Sequence, residues 1–133
     1  MGFGERQTPA AHLKWPLRMA QDRQQGVLVL TLAGRIGQAS AGALGDCLES
    51  LLAAGERRLV IDLEAVDYVS SAGIVVLEAA NARFDAIKGA LVLCAVAEPV
   101  RIALDLAGAL PRFAIEPSRG GGIARLATGR NDG

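Results

Sequence analysis

From Val27 onward, strand-length apolar runs alternate with stretches that repeat every three or four residues, and this alternation constrains the fold more than any other feature. The runs are Val27–Ala33, Leu59–Leu63 and Ala90–Val96. Between them, Leu44, Leu48, Leu51 and Leu52 recur at i, i+4, i+7 and i+8, and Leu77, Ala80, Phe84 and Ile87 mark a second inward helical face. Short continuous apolar runs suit strands buried on both faces, and helical stretches between them suit crossover connections. The expected fold is therefore α/β: a mixed, mostly parallel sheet flanked by about four helices.

Local signals fill in the rest. Leu17–Arg23 alternates weakly and leads through Gln24-Gln25-Gly26 into the first run, which reads as a β-hairpin, with Gly34 closing its second strand. Gly55 is a stop signal after the first helix, and Lys88-Gly89 after the second. Pro99 suits the first turn of a third helix carrying Val100, Ala103, Leu104 and Ala107. Arg112–Ile115 reads as a last short strand, and Ser118–Leu126 as a closing helix weakened by Gly120-Gly121-Gly122. Residues 1–16 form a loose lead-in, 17–127 one domain, and 128–133 a flexible tail; residues 1–14 are expected to be dispensable, with Trp15 at the boundary. Val60, Leu63, Leu77, Phe84, Leu93 and Leu104 are the expected core.

Composition narrows the function. Fourteen basic and fourteen acidic side chains in 133 residues leave no net charge, which argues against a nucleic-acid partner. No apolar run approaches the roughly 20 residues that span a bilayer, and Met1–Pro16 lacks a signal peptide's apolar stretch, so a cytoplasmic protein without membrane insertion is expected. Cys47 and Cys94 lie in apolar segments and read as buried reduced thiols. With His12 the only histidine, in the lead-in, neither a metal site nor an acid–base pair is expected. No catalytic residue and no cofactor are assigned.

The densest cluster of unusual residues is Asp67-Tyr68-Val69-Ser70-Ser71-Ala72-Gly73-Ile74, where a strand gives way to a helix. Either serine serves as a helix N-cap. Ligands of open α/β sheets collect at such strand ends, and a phosphate there would meet the positive end of a helix dipole. Nucleophilic catalysis by a serine would require an adjacent base, and none is at hand. Asp62, Glu64 and Asp67 read as solvated charges at a strand end. The triple glycine lacks the lysine and the strand–loop–helix order of a phosphate-binding loop.

Leu59-Val60-Ile61-Asp62-Leu63, followed by Val66-Asp67-Tyr68-Val69-Ser70-Ser71-Ala72-Gly73-Ile74-Val75-Val76-Leu77, resembles the signature of the STAS domain family, of the type found in anti-sigma factor antagonists. Gly34-Arg35-Ile36 with Ser40-Ala41, Gly89-Ala90-Leu91-Val92-Leu93-Cys94, the Leu104-x-x-Ala107-Gly108 ending and Glu116-Pro117-Ser118 match in order, so the resemblance covers roughly residues 17–127.

The resemblance implies a regulatory binding module rather than an enzyme. Its partner would be an anti-sigma factor that is also a serine kinase, and serine phosphorylation, reversed by a phosphatase, would break the complex. It places partner contacts at Arg35, Gly37, Asp67, Tyr68, Ser70, Ser71, Ala72, Gly73 and Ile74. The best-known branch has its phosphoacceptor just before the loop glycine, where this chain has Ala72. Ser71 matches the position one place earlier, used in the stressosome branch, with Ser70 the runner-up. Gly37 stands where such members carry an acid. The alternative is a STAS subunit that never cycles phosphate, such as a partner of a lipid transporter's ATPase. A small enzyme or nucleotide binder on a flavodoxin-like sheet lacks a base and a phosphate loop, and a receiver domain lacks the acidic pair after its first strand. Oligomeric state, sigma factor and upstream signal leave no mark in the sequence.

Overall fold

The computed structural model describes residues 17–131, with side chains described for 17–127. The expectations for residues 1–16, including Trp15 and His12, lie outside the described residues. β1 (Leu17–Gln24) and β2 (Val27–Ile36) form an antiparallel hairpin through Gln25 and Gly26, whose φ angles of 55° and 77° are both positive. Two positive φ angles make a type I′ turn, whose twist matches that of the flanking strands. There follow α1 (Gln38–Ala53), β3 (Arg58–Val69), α2 (Ser71–Ala86), β4 (Ala90–Cys94), α3 (Glu98–Leu106), a 3-10 turn at Leu110–Arg112, β5 (Ala114–Glu116) and α4 (Arg119–Asn131).

The sheet order is β1-β2-β3-β4-β5, antiparallel at β1/β2 and parallel elsewhere. Successive parallel strands are also spatial neighbours, so right-handed crossovers put every connecting helix on one face. There α1, α2 and α3 cover Leu28, Leu30 and Leu32 of β2, Leu59, Ile61 and Leu63 of β3, and Leu91 and Leu93 of β4. Alternate side chains (Val27, Val29, Val60, Val92 and Cys94) point the other way and meet Ile123, Leu126 and Ala127 of α4. The six expected core residues, Val60, Leu63, Leu77, Phe84, Leu93 and Leu104, are all fully buried. Burying one such large apolar side chain is worth about 1.5–3 kcal/mol.

Several element ends differ from the sequence reading. Gly34 does not end β2: it sits inside the strand at φ 113°, beside a register shift, and the strand runs on to Ile36. β3 likewise continues past Leu63 to Val69. β4 stops at Cys94 because Ala95 turns to φ 53°. The triple glycine does not break α4, which extends to Asn131. A Cβ at Gly122 would lie 3.3 Å from the Val60 methyls and 3.6 Å from Cys94 Cβ, so glycine lets this helix approach the sheet closely.

Candidate functional site

The carboxyl ends of β2 and β3 carry the candidate site. β3 outruns β4, whose pairing with it ends at Asp62↔Cys94, so from Glu64 to Val69 its only strand neighbour among the described residues is β2. On the helix side, Val66, Val69 and Ile36 remain buried. On the other side, Arg35, Glu64, Asp67 and Tyr68 reach solvent. Arg35 and Tyr68 are register partners, and the Arg35 guanidinium lies 4.3 Å from the centre of the Tyr68 ring.

The loop into α2 is short and fixed. The Ser70 N–H donates to the Ile36 carbonyl at 2.8 Å, tying the loop to the end of β2. Ser70 is the N-cap: its Oγ accepts from the Gly73 N–H at 3.1 Å, and its carbonyl accepts from Ile74 N–H at 2.9 Å. Ser71 is the first residue of the helix and is exposed. A Cβ on Gly73 would lie 2.6 Å from Ile36 Cγ2 and 2.9 Å from Val69 Cγ2, so only glycine allows this close approach. The two serines are thus distinguished: Ser70's oxygen serves the helix, whereas Ser71 presents its side chain outward.

The residues that the resemblance places at a partner surface fall into three groups by burial. Arg35, Asp67, Tyr68 and Ser71 are exposed, and Ser70, Ala72 and Gly37 are half-buried. Gly73 and Ile74 are buried and shape the loop from beneath. Gly37 caps α1, with the Ser40 Oγ accepting from its N–H at 2.9 Å and donating to the Arg35 carbonyl at 3.1 Å. Val75, 62% exposed and one turn beyond Ser71, is a surface residue that the sequence reading missed. The period held the signal, since the inward positions 74, 77, 80 and 84 leave 75 on the outer side.

The acidic residues need a correction. Glu64 and Asp67 are exposed, but Asp62 is only 3% exposed and faces α4. Its Oδ2 accepts from Arg119 Nε at 2.8 Å and its Oδ1 from the Glu64 N–H at 2.9 Å, while Arg119 Nη2 donates to Thr31 Oγ1 at 3.1 Å. Cys94 is the register partner of Asp62. Burial, and then the Asp62 and Glu64 charges, push its thiol up to about 12 despite the opposing Arg119 guanidinium. A thiol held neutral in this way is a poor nucleophile. Cys47 is half-buried rather than buried, and burial raises its pKa too. Among the described residues, no group of three or more His, Cys, Asp or Glu could hold a metal ion. No helix among them is long and apolar enough to cross a membrane.

The site is a short strand–loop–helix segment that presents exposed polar residues at the carboxyl ends of β2 and β3. The profile of the STAS domain matches residues 18–121, and the chain belongs to the STAS domain family. It is 33% identical over 112 residues to the putative anti-sigma factor antagonist BtrV of Bordetella bronchiseptica, covering 84% of this chain and 97% of that one. It is also 38% identical over 56 residues to the anti-sigma-F factor antagonist RsfB of Mycobacterium tuberculosis, covering 42% of this chain and 46% of the relative. Among solved structures, an anti-sigma factor antagonist from Mycobacterium paratuberculosis superposes with a TM-score of 0.75 at 23% identity, over 83% of this chain and 93% of the other.

Proposed function

We propose that the chain is a cytoplasmic antagonist of an anti-sigma factor that is also a serine kinase, and that phosphorylation of Ser71 releases the complex. The observation that carries this reading is the division of labour between the serines: Ser70's oxygen is engaged as the N-cap and Ser71 is exposed beside it. The names of the relatives support the partner class.

The physics of the switch is local. A phosphoserine brings about −1.5 to −2 charges and three acceptor oxygens. At the first helical residue those charges meet the positive end of the α2 dipole, which stabilises them by about 0.3–1 kcal/mol at an exposed site, so the fold survives. Against a partner surface shaped for a neutral hydroxyl, the same charges are repelled or lose their hydration. A phosphatase acting on the exposed loop restores binding.

Ala72 supports a second reading. It occupies the place directly before the loop glycine, and a subunit that never cycles phosphate, bound for example to a lipid transporter's ATPase, needs no acceptor there. Incubation with the host's anti-sigma factor kinase and ATP, followed by phosphopeptide mapping, separates the two. Stoichiometric phosphate on Ser71 is expected; phosphate on Ser70 or on neither serine would overturn the assignment.

A further inference from the structure

The opposite end of the sheet carries a second set of unusual residues. Arg57-Arg58 precedes or opens β3, and Lys88-Gly89 precedes β4. Parallel register, with Arg58 opposite Ala90, brings the two pairs side by side. The junction is tight: Ala90 N–H donates to the Arg57 carbonyl at 2.8 Å, and a Cβ on Gly89 would lie 2.4 Å from that oxygen. Arg57 Nη2 in turn donates to the Ile87 carbonyl at 2.6 Å, which fixes its guanidinium. Arg125 of α4 completes the group.

Three features mark this group as a binding site rather than a solvated charge run. A cavity of about 200 Å³ is lined by Arg57, Arg58, Lys88 and Arg125, and no acidic residue lines it. Arg58 Nε is buried without a hydrogen-bond partner, and Arg58 and Lys88 form no ion pair among the described residues. Buried donors are nearly always satisfied, so an orphaned one calls for an acceptor. Lys88 is held at φ 62°, at the end of α2 where its N–H bonds the Asp85 carbonyl and that of Gly89 the Phe84 carbonyl. Glycine or asparagine is the usual choice at such a helix end, so a lysine keeps a cation there against a backbone preference. Arg125 is shared, since its Nη1 also bonds Glu116 at 2.9 Å.

The basic cavity adjoins a larger cleft of about 450 Å³, also lined by Gly89, Ala90, Arg125 and Leu126. One wall of that cleft is the amino end of β4, which pairs with β3 on one side and, among the described residues, has no strand on the other because β5 begins opposite Val92. We propose that this end of the sheet binds a phosphate-bearing small molecule. The phosphate sits among Arg57, Arg58, Lys88 and Arg125, and the organic remainder lies along the open β4 edge. Guanidinium groups match phosphate oxygens in charge and in forked geometry. A confined pocket in a chain with no net charge suits one phosphate group better than a nucleic-acid backbone. β3 separates the pocket from Ser71 by nearly its own length, so this inference does not depend on the phosphorylation reading.

The test is a titration of the 15N-labelled chain, followed by amide shifts, with inorganic phosphate and then ribose 5-phosphate at fixed ionic strength. Saturable shifts are expected at residues 57, 58, 88–90 and 125. Ribose 5-phosphate should bind more tightly and also move residue 91. Arg58→Gln and Lys88→Gln should each weaken binding about tenfold, the scale of one charge-assisted hydrogen bond. Lys88 is exposed, so its variant tests binding without disturbing the core. Lys88→Gly should weaken binding equally while raising the melting temperature. Shifts that do not saturate, shifts scattered over other basic residues, or Lys88→Gln binding like the parent chain would overturn the site. Equal affinities for the two probes would overturn the placement of the organic part, and binding only to phosphatidylglycerol vesicles would overturn the small-molecule assignment.

Discussion

The Arg35 guanidinium lies over the Tyr68 ring at 4.3 Å, linking the carboxyl ends of β2 and β3 on the side of the sheet away from α1 and α2. An exposed cation–π contact of this kind contributes about 0.5–1 kcal/mol, too little to explain two exposed large side chains at a strand end. Both residues are therefore expected to matter for partner binding more than for folding. Arg35→Ala and Tyr68→Ala should each leave thermal unfolding within a few degrees of the parent while weakening the complex with the anti-sigma factor, as read by isothermal titration. Unchanged affinity in both variants would remove this face from the interface.

The two serines should separate in stability before any partner is added. Ser70→Ala removes the acceptor for the Gly73 N–H and should cost about 0.5–2 kcal/mol by denaturant unfolding. Ser71→Ala removes an exposed hydroxyl and should fall within about 0.5 kcal/mol of the parent, as surface changes usually do. Equal losses would mean that Ser71 shares the cap.

Two glycines flank the site with opposite tolerances. Gly73→Ala drives a methyl into Ile36 and Val69, both β-branched and buried, and should destabilise by about 1–3 kcal/mol. A Cβ on Gly37 would meet nothing within 4 Å, so Gly37→Asp should be accepted and gain about 0.3–1 kcal/mol as a charged N-cap of α1. Thermal melts of both variants check the pair.

Cys94 predicts an alkaline limit. In the unfolded chain its thiol ionises near 9.0, whereas burial and the Asp62 charge hold it neutral to about 12 in the folded one. Between those values the unfolded state binds fewer protons than the folded state, so stability falls as pH rises through this window; below it the thiol contributes no pH dependence. The Cys94→Ala variant should lose part of that alkaline slope. Denaturant midpoints measured from pH 7 to 11 show whether it does, and identical slopes would contradict the assignment.

The fold was legible because its signal is repetitive. The runs around Leu30, Ile61 and Leu93 and the helical faces at Leu48 and Leu77 each state their period within a few residues. The ends of β2 and β3 were not legible: register shifts near Gly34 displace the alternation, leaving Val66 and Val69 three apart where an unbroken strand would space them by two. The Asp62–Arg119 pair joins residues 57 apart, so no local pattern could mark Asp62 as buried. At the site, the serine–glycine loop announced itself, but which serine caps α2 depended on the phase of the helix start. Ile74 lies beside exposed Ser71 in sequence, and only the packing of α2 on the sheet turns it inward.

The most direct test of the account compares the affinity of the anti-sigma factor for the parent chain, its Ser71-phosphorylated form, Ser71→Asp and Ser71→Ala, with folding of each verified by circular dichroism. The account predicts that the phosphorylated form and Ser71→Asp fold normally and bind more weakly by about tenfold or more, as expected when an uncompensated charge enters an interface. Ser71→Ala should bind like the parent and stay bound in the presence of kinase and ATP. Undiminished binding by phosphorylated Ser71, or release of Ser71→Ala by kinase and ATP, would contradict it.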